Sequence, residues 1–221
     1  MWLSFLAATG VGYLWGSFPT GVVVARSRGV DLRSQGSGNI GATNAFRVLG
    51  KKWGATVLLV DLLKGTLGCL CGAAVAMALA GDSLSQEQAM WFRMLGALGS
   101  VLGHNFPIWL RFKGGKGIAT SAGALAALTP WAFVSALGTW LLVFRWRRIV
   151  SLASITAAVG LPFFTWWTGA HGALIVLNAV LGLLAVWRHK ANIVRLRAGT
   201  EPRIGGGGSP KEPTSNGPSA K

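Results

Sequence analysis

The feature that bounds this chain most tightly is a succession of apolar runs, at about residues 2–25, 53–79, 90–110, 117–129, 131–145, 149–168 and 171–187. A bilayer core takes about 20 apolar residues per helix, and backbone inside it must satisfy its own N–H and C=O groups. The expected fold is an all-α polytopic membrane protein with seven transmembrane helices. A mean hydropathy of +0.50 with only 12% charged residues excludes an ordinary soluble domain. The fourth and fifth runs are short and meet at Thr129-Pro130, which leaves three arrangements: tilted helices, a pair sunk in protein, or a re-entrant hairpin.

The net charge of +15 would fit a nucleic-acid binder if it were spread over one surface. It is not. All but two of the 21 Lys and Arg fall in alternate loops, in groups around Arg26 to Lys52, Arg111 to Lys116, Arg145 to Arg148, and from Arg188 onward. Seven crossings place those groups on one side, and the positive-inside rule makes that side cytoplasmic. The N-terminus is then expected outside and the C-terminus inside, with no nucleic-acid partner. The first run lacks a basic n-region and an A-x-A site, so it reads as a retained span.

The membrane domain is expected over 1–204. Residues 205–221, "GGGGSPKEPTSNGPSAK", hold no large apolar side chain and read as a disordered cytoplasmic tail. Cys69 and Cys71 lie in an apolar helix away from any His, which favours packing over metal ligation. No metal and no cofactor is expected.

Three polar segments stand on the basic side. In "DLRSQGSGNIGATNAFRVLGKK", Gly36, Gly38 and Gly41 allow successive amides to face one concavity, and Ser37, Asn39, Thr43 and Asn44 add side-chain donors. The segment reads equally as an anion-binding nest or as a solvated loop. In "GHNFPIWLRFKGGKGIAT", Gly114 and Gly115 lie between Lys113 and Lys116 at a helix start, where free amides and the helix dipole favour phosphate. It is not a Walker A loop, because Leu110 and Gly117 occupy positions that motif reserves for other residues. In "WRHKANIVRLRAGTEPRIG", His189 and Asn192 are three apart, hence on one helical face; such a basic segment can also simply bind anionic lipid. Together the three point to one anionic-substrate site at the membrane surface.

These motifs, with "GSFPTG" (16–21) and "VSLASI" (150–155), closely resemble the bacterial acyl-phosphate-dependent glycerol-3-phosphate acyltransferases, the PlsY family, from about residue 5 to 205. The resemblance implies a seven-helix enzyme of the bacterial inner membrane, with a cytoplasmic-side site that moves a fatty acyl group from acyl phosphate to the 1-hydroxyl of sn-glycerol 3-phosphate. The products would be lysophosphatidic acid and phosphate, and the enzyme would work as a monomer. It further implies that Ser37, Thr43 and the amides of Gly36 to Gly41 form a phosphate loop, that Arg47 binds glycerol phosphate, and that Lys116 serves both phosphates. Ser151, His189 and Asn192 match the remaining polar positions. Ala191 stands where many members carry Glu, and the tail beyond Gly205 has no counterpart.

The residues agree with that chemistry on their own terms. Acyl phosphate is an activated mixed anhydride, so holding two substrates in line is the main task, and cations with amides suit two phosphates. The proton acceptor stays open between His189 and a departing phosphate oxygen. A His-to-Asp acyltransferase signature is absent, since Trp109, Val176 and Val194 stand five residues after His104, His171 and His189. His104 fits a hydrogen-bonded structural role or a catalytic one. Asp61 and Lys64, inside the second run, should face the bundle interior, pair, and support the loop above. The alternative function is a membrane transporter of a phosphorylated solute, which would need a midplane site and internal repeats; a lipid-bound scaffold would not need the glycines.

Overall fold

The computed structural model describes residues 2–81 and 84–205. Apart from Gly205, the expected tail lies outside the described residues. Among the described residues the chain is all helix, without strands: α1 (Trp2–Ser17), α2 (Thr20–Arg26), α3 (Ala42–Leu49), α4 (Lys51–Ala80), α5 (Gln86–Asn105), a 3-10 turn (Ile108–Leu110), α6 (Ile118–Leu128), α7 (Pro130–Arg147), α8 (Val150–Trp167), α9 (Gly172–Arg188) and α10 (Lys190–Arg197). By length and composition α4 and α8 suffice to cross a bilayer, and α9 with α10, bent by 60° at His189, is a third candidate.

The first apolar run is not one continuous helix. Pro19 carries no N–H to continue the ladder, and α1 stops at Ser17 before α2 restarts at Thr20. The break leaves the Phe18 carbonyl turned inward, where Lys64 Nζ donates to it at 2.9 Å. Pro130 acts similarly at the start of α7, separating it from α6 at Thr129. Of the three arrangements open for that pair, burial is decisive for α6, which packs on α4 and α5 through Thr120, Ser121, Gly123, Ala124 and Leu125. Helix α7 buries only Ala132 and Ala136. Ser85 starts α5 with a capping box, its hydroxyl accepting from Gln88 N–H while Gln88 Oε1 accepts from Ser85 N–H.

Helices α1, α4, α5 and α6 pack together, and α7, α8 and α9 form a second row that meets them through α9 and α6. Size is sorted in the sense expected of a membrane protein. Leu142, Trp131 and Leu183 point outward at 75%, 72% and 72% exposure, while α1, α4 and α5 meet through Gly, Ala and Ser. Lipid tails are as apolar as Leu, so close backbone approach, not burial of large side chains, drives the contact. A Cβ on Gly12 would collide with the Gly96 carbonyl. Cys69 packs with Ala97 and Ala124, in keeping with a packing role.

The same packing gives a controlled test. Gly12→Val should abolish a monodisperse detergent-extracted species, whereas Gly10→Val, with nothing within 4 Å, should leave the elution profile and thermal midpoint unchanged. Equal behaviour of the two variants would refute the α1–α5 contact.

Candidate active site

The glycine loop folds largely upon itself. Gly36 and Gly38 have φ of 60° and 69°, conformations that side chains beyond Cα disfavour. Asn44, in the first turn of α3, does not present its amide to a ligand as the sequence predicts. It is buried, its Nδ2 donates to Leu32 and Gln35 carbonyls at 3.0 Å each, and its Oδ1 accepts from Ser37 N–H at 2.8 Å. Gly38 N–H is used by Gln35 O and Gly41 N–H by Asn39 Oδ1. Asn39 and Asn44 therefore shape the loop. The groups that remain open are the hydroxyls of Ser37 and Thr43, the side-chain NH2 of Asn39 and the backbone amides of Gly36, Asn39, Ile40, Ala42 and Thr43. The last two lie at the start of α3, where the helix dipole favours an anion.

The second segment also departs from expectation. Gly114 and Gly115 do not begin a helix; their N–H groups donate to Asn105 and His104 carbonyls at the end of α5, at 3.2 and 3.1 Å. Their own carbonyls accept from Arg188, at 2.8 and 3.0 Å. These glycines are required by close approach, since a Cβ on Gly115 would strike the His104 ring. Helix α6 begins at Ile118, with Gly117 as N-cap at φ 77°. Lys116 is the residue this arrangement sends forward.

Lys116 Nζ donates to Asn192 Oδ1 at 2.6 Å, across 76 residues of chain. Asn192 Nδ2 donates to Glu201 Oε1 at 2.6 Å, and that carboxylate also accepts from Ser151 at 2.7 Å and Arg195 at 2.7 Å. Glu201 is reached by a turn at Gly199, φ 71°, beyond the end of α10. Nothing local in the sequence marks Glu201; the signal that finds it is tertiary, because Ser151 lies 50 residues away. Arg188 and Arg195, in the basic segment expected to meet an anionic substrate or lipid, are bonded to Gly114, Gly115 and Glu201.

His189 and Asn192 do not share one helix. His189 is the joint between α9 and α10, buried, with Nδ1 on the Ala185 carbonyl at 2.7 Å. That bond puts the proton on Nδ1 and leaves Nε2 as acceptor. Burial, then the charge of Lys116, brings the His189 imidazole down to about 4. Burial also draws the Lys116 ammonium down to about 8; Glu201 opposes this, while Arg195, Arg47 and Arg188 add to it. The Glu201 carboxyl is pushed up by burial, but hydrogen bonds from Ser151, Asn192 and Arg195 outweigh this and hold it below the ordinary value.

The structure thus gathers Lys116, Asn192 and Ser151 through Glu201, with His189 and Arg47 inside the electrostatic reach of Lys116. Ser37 and Thr43 make no hydrogen bond to this cluster. Four cations against one carboxylate leave surplus positive charge for an anionic ligand.

A helical bundle with large apolar side chains facing outward and a cation-rich site at its turns defines a membrane protein suited to an anionic ligand. Residues 6–199 match the family Glycerol-3-phosphate acyltransferase. Glycerol-3-phosphate acyltransferases of Rhodopseudomonas palustris strain HaA2 and Thermosynechococcus vestitus are 47% and 43% identical over 203 and 199 residues, covering 91% and 88% of this chain and 96% and 92% of those proteins. A crystal structure of PlsY (YgiH), an integral membrane glycerol 3-phosphate acyltransferase, in its glycerol 3-phosphate form is 40% identical with a TM-score of 0.81, covering 91% of this chain and 96% of that one. The lysophosphatidic acid form of the same protein matches with a TM-score of 0.79. This chain belongs to the glycerol-3-phosphate acyltransferase family of PlsY type.

The charge balance sets the pH behaviour. Loss of the Lys116 proton should lower kcat/KM, a free-enzyme quantity, as pH rises through about 8. Glu201→Gln removes the one anion favouring the ammonium, so the alkaline limb should move to lower pH. An unmoved limb would exclude Lys116 as the titrating group.

Proposed function

We propose that this protein transfers a fatty acyl group from acyl phosphate to the 1-hydroxyl of sn-glycerol 3-phosphate, releasing 1-acyl-sn-glycerol 3-phosphate and inorganic phosphate. The observation that carries this reading is the Lys116 cluster: a half-buried ammonium held by an uncharged acceptor, within the electrostatic influence of Arg47, Arg188 and Arg195. Such a site keeps positive charge for two phosphates at once. In the reaction the glycerol 1-oxygen attacks the acyl carbonyl carbon, the carbonyl-to-phosphate C–O bond breaks, and the hydroxyl proton leaves. With His189 held down to about 4, its Nε2 is a weak base near neutral pH. The departing phosphate is the better proton acceptor.

Ser37, Thr43 and the free amides of the glycine loop and α3 would hold one phosphate, with Arg47 and Lys116 between it and the other. Gly36 and Gly38 supply the turn that aims those amides. Gly114 and Gly115 contribute by seating the Lys116 segment. Ser151, Asn192 and Glu201 orient the ammonium. The cluster is assembled within one chain, which supports action as a monomer. The turns at 26–51, 111–117, 148–150 and 188–205 carry the basic residues; 188–205 bonds 111–117 through Arg188 and Gly114, and 148–150 through Ile204 N–H and the Arg148 carbonyl. That supports seven crossings with these turns on the cytoplasmic side of a bacterial inner membrane, N-terminus outside and C-terminus inside.

The deciding experiment supplies purified protein with palmitoyl phosphate and glycerol 3-phosphate and measures released phosphate and acylated product. Turnover with palmitoyl-CoA at equal concentration comparable to that with palmitoyl phosphate would overturn the donor assignment. No group of three His, Cys, Asp or Glu converges among the described residues, so activity should survive EDTA; loss restored by Mg²⁺ or Zn²⁺ would contradict this. Lys116→Ala should cost about 100-fold or more in kcat/KM, because two charge-assisted hydrogen bonds at about 1.5–3 kcal/mol each are lost. Lys113, exposed, should cost far less as Ala. Equal small losses in the two variants would refute this placement of the phosphates.

A further inference from the structure

The buried ions of α4 take no part in the site just described, yet they touch the supports of both its loops. Asp61 and Lys64 are 2% and 4% exposed, and Lys64 Nζ lies 3.0 Å from Asp61 Oδ1. An apolar pair of similar volume would hold a helix bundle at least as well, so retained buried charge calls for a positional reason.

Two arms leave the pair. On one, Lys64 Nζ donates to the Phe18 carbonyl at 2.9 Å, at the break imposed by Pro19. Two residues on, Gly21 rests on the glycine loop: a Cβ there would collide with the Ile40 carbonyl. On the other arm the contact is packing, not a hydrogen bond: the His104 ring lies against the pair, with Nδ1 3.8 Å from Asp61 Oδ1. The opposite edge of that ring faces Gly115, where a Cβ would strike Nε2, and the His104 carbonyl accepts from Gly115 N–H at 3.1 Å. Lys116 is the next residue. The carbonyl of Lys64 is itself tied to α5 by Ser100 Oγ at 2.9 Å, which fixes the pair between the two arms.

We infer that Asp61, Lys64 and His104 form a positioning relay that sets the glycine loop and Lys116 in register with each other. The inference rests on the acyl-transfer reading above. Each loop holds its own phosphate through its own groups; the relay decides whether the two are in line. Its loss should therefore lower turnover more than it weakens binding of either substrate. The motif "GSFPTG" then has a stated job: Pro19 exposes the carbonyl that Lys64 holds, and Gly21 carries the position to Ile40.

The test compares Asp61→Asn/Lys64→Met with wild type, each purified and checked for elution and thermal midpoint. The double variant avoids leaving an unpaired ion. It should fold, lose about tenfold or more in kcat, and keep both KM values within about threefold. A folded double variant with wild-type kcat would overturn the relay. A second measurement is independent of that variant's folding. Gly115→Ala should cost much of kcat in the wild-type background and little further in His104→Ala, where the methyl has room. Losses that simply multiply would overturn the His104 arm. Absence of wild-type turnover with acyl phosphate would instead sink the reaction assignment.

Discussion

An ammonium drawn partly out of water needs an acceptor, and at Lys116 the acceptor is the side-chain carbonyl of Asn192, not a carboxylate. A directly paired carboxylate would neutralise the site; an amide holds the same geometry and leaves the charge available. The one nearby anion, Glu201, stands a residue behind and is shared among Ser151, Asn192 and Arg195. Much else follows from placing that amide. The chain bends at His189 so that α10 can leave the line of α9, turns again at Gly199, and returns Glu201 to the first turn of α8.

The bilayer imposes the complementary constraint. Large side chains cannot drive helices together when lipid solvates them equally well, so the interior is built on backbone proximity at positions such as Gly12 and Gly96. A bundle joined this closely has few soft degrees of freedom, and its turns inherit that rigidity. Arg188, stretched over the Phe106 ring at 5.3 Å and bonded to two glycine carbonyls, fastens the Lys116 segment to the end of α9. The proposed alignment of two bound substrates would draw on such close packing more than on a strong base.

Glycine-rich motifs carried two meanings that residue types alone do not separate. Around Gly36 and Gly38 the positive φ values serve a turn, and the amides of Ser37, Gly38 and Gly41 are consumed by Asn44, Gln35 and Asn39 within the loop. At Gly114 and Gly115 the reason is steric, because a histidine ring and two carbonyls occupy the space of a side chain. Gly114 and Gly115 adjoin Lys116 in the chain, and both pairs act through the backbone they permit. The same holds for Asn44, buried under the loop it was expected to line.

What the amino-acid order determined by itself is the solvent of the fold, the helical class, the grouping of cations in alternate turns, and the identity of Lys116, Arg47 and Asn192 as polar outliers in those turns. Each of these is a local property, readable from hydropathy, spacing and charge. The tertiary structure alone decided that the first run breaks at Pro19, that Asn192 and Glu201 stand behind Lys116, and that Ser151 belongs with them. Those relations join residues 50 and 76 apart, through turns whose direction depends on how small residues let the helices close. No periodicity encodes such a meeting, because the contact energy resides in the packed bundle and in neither segment alone.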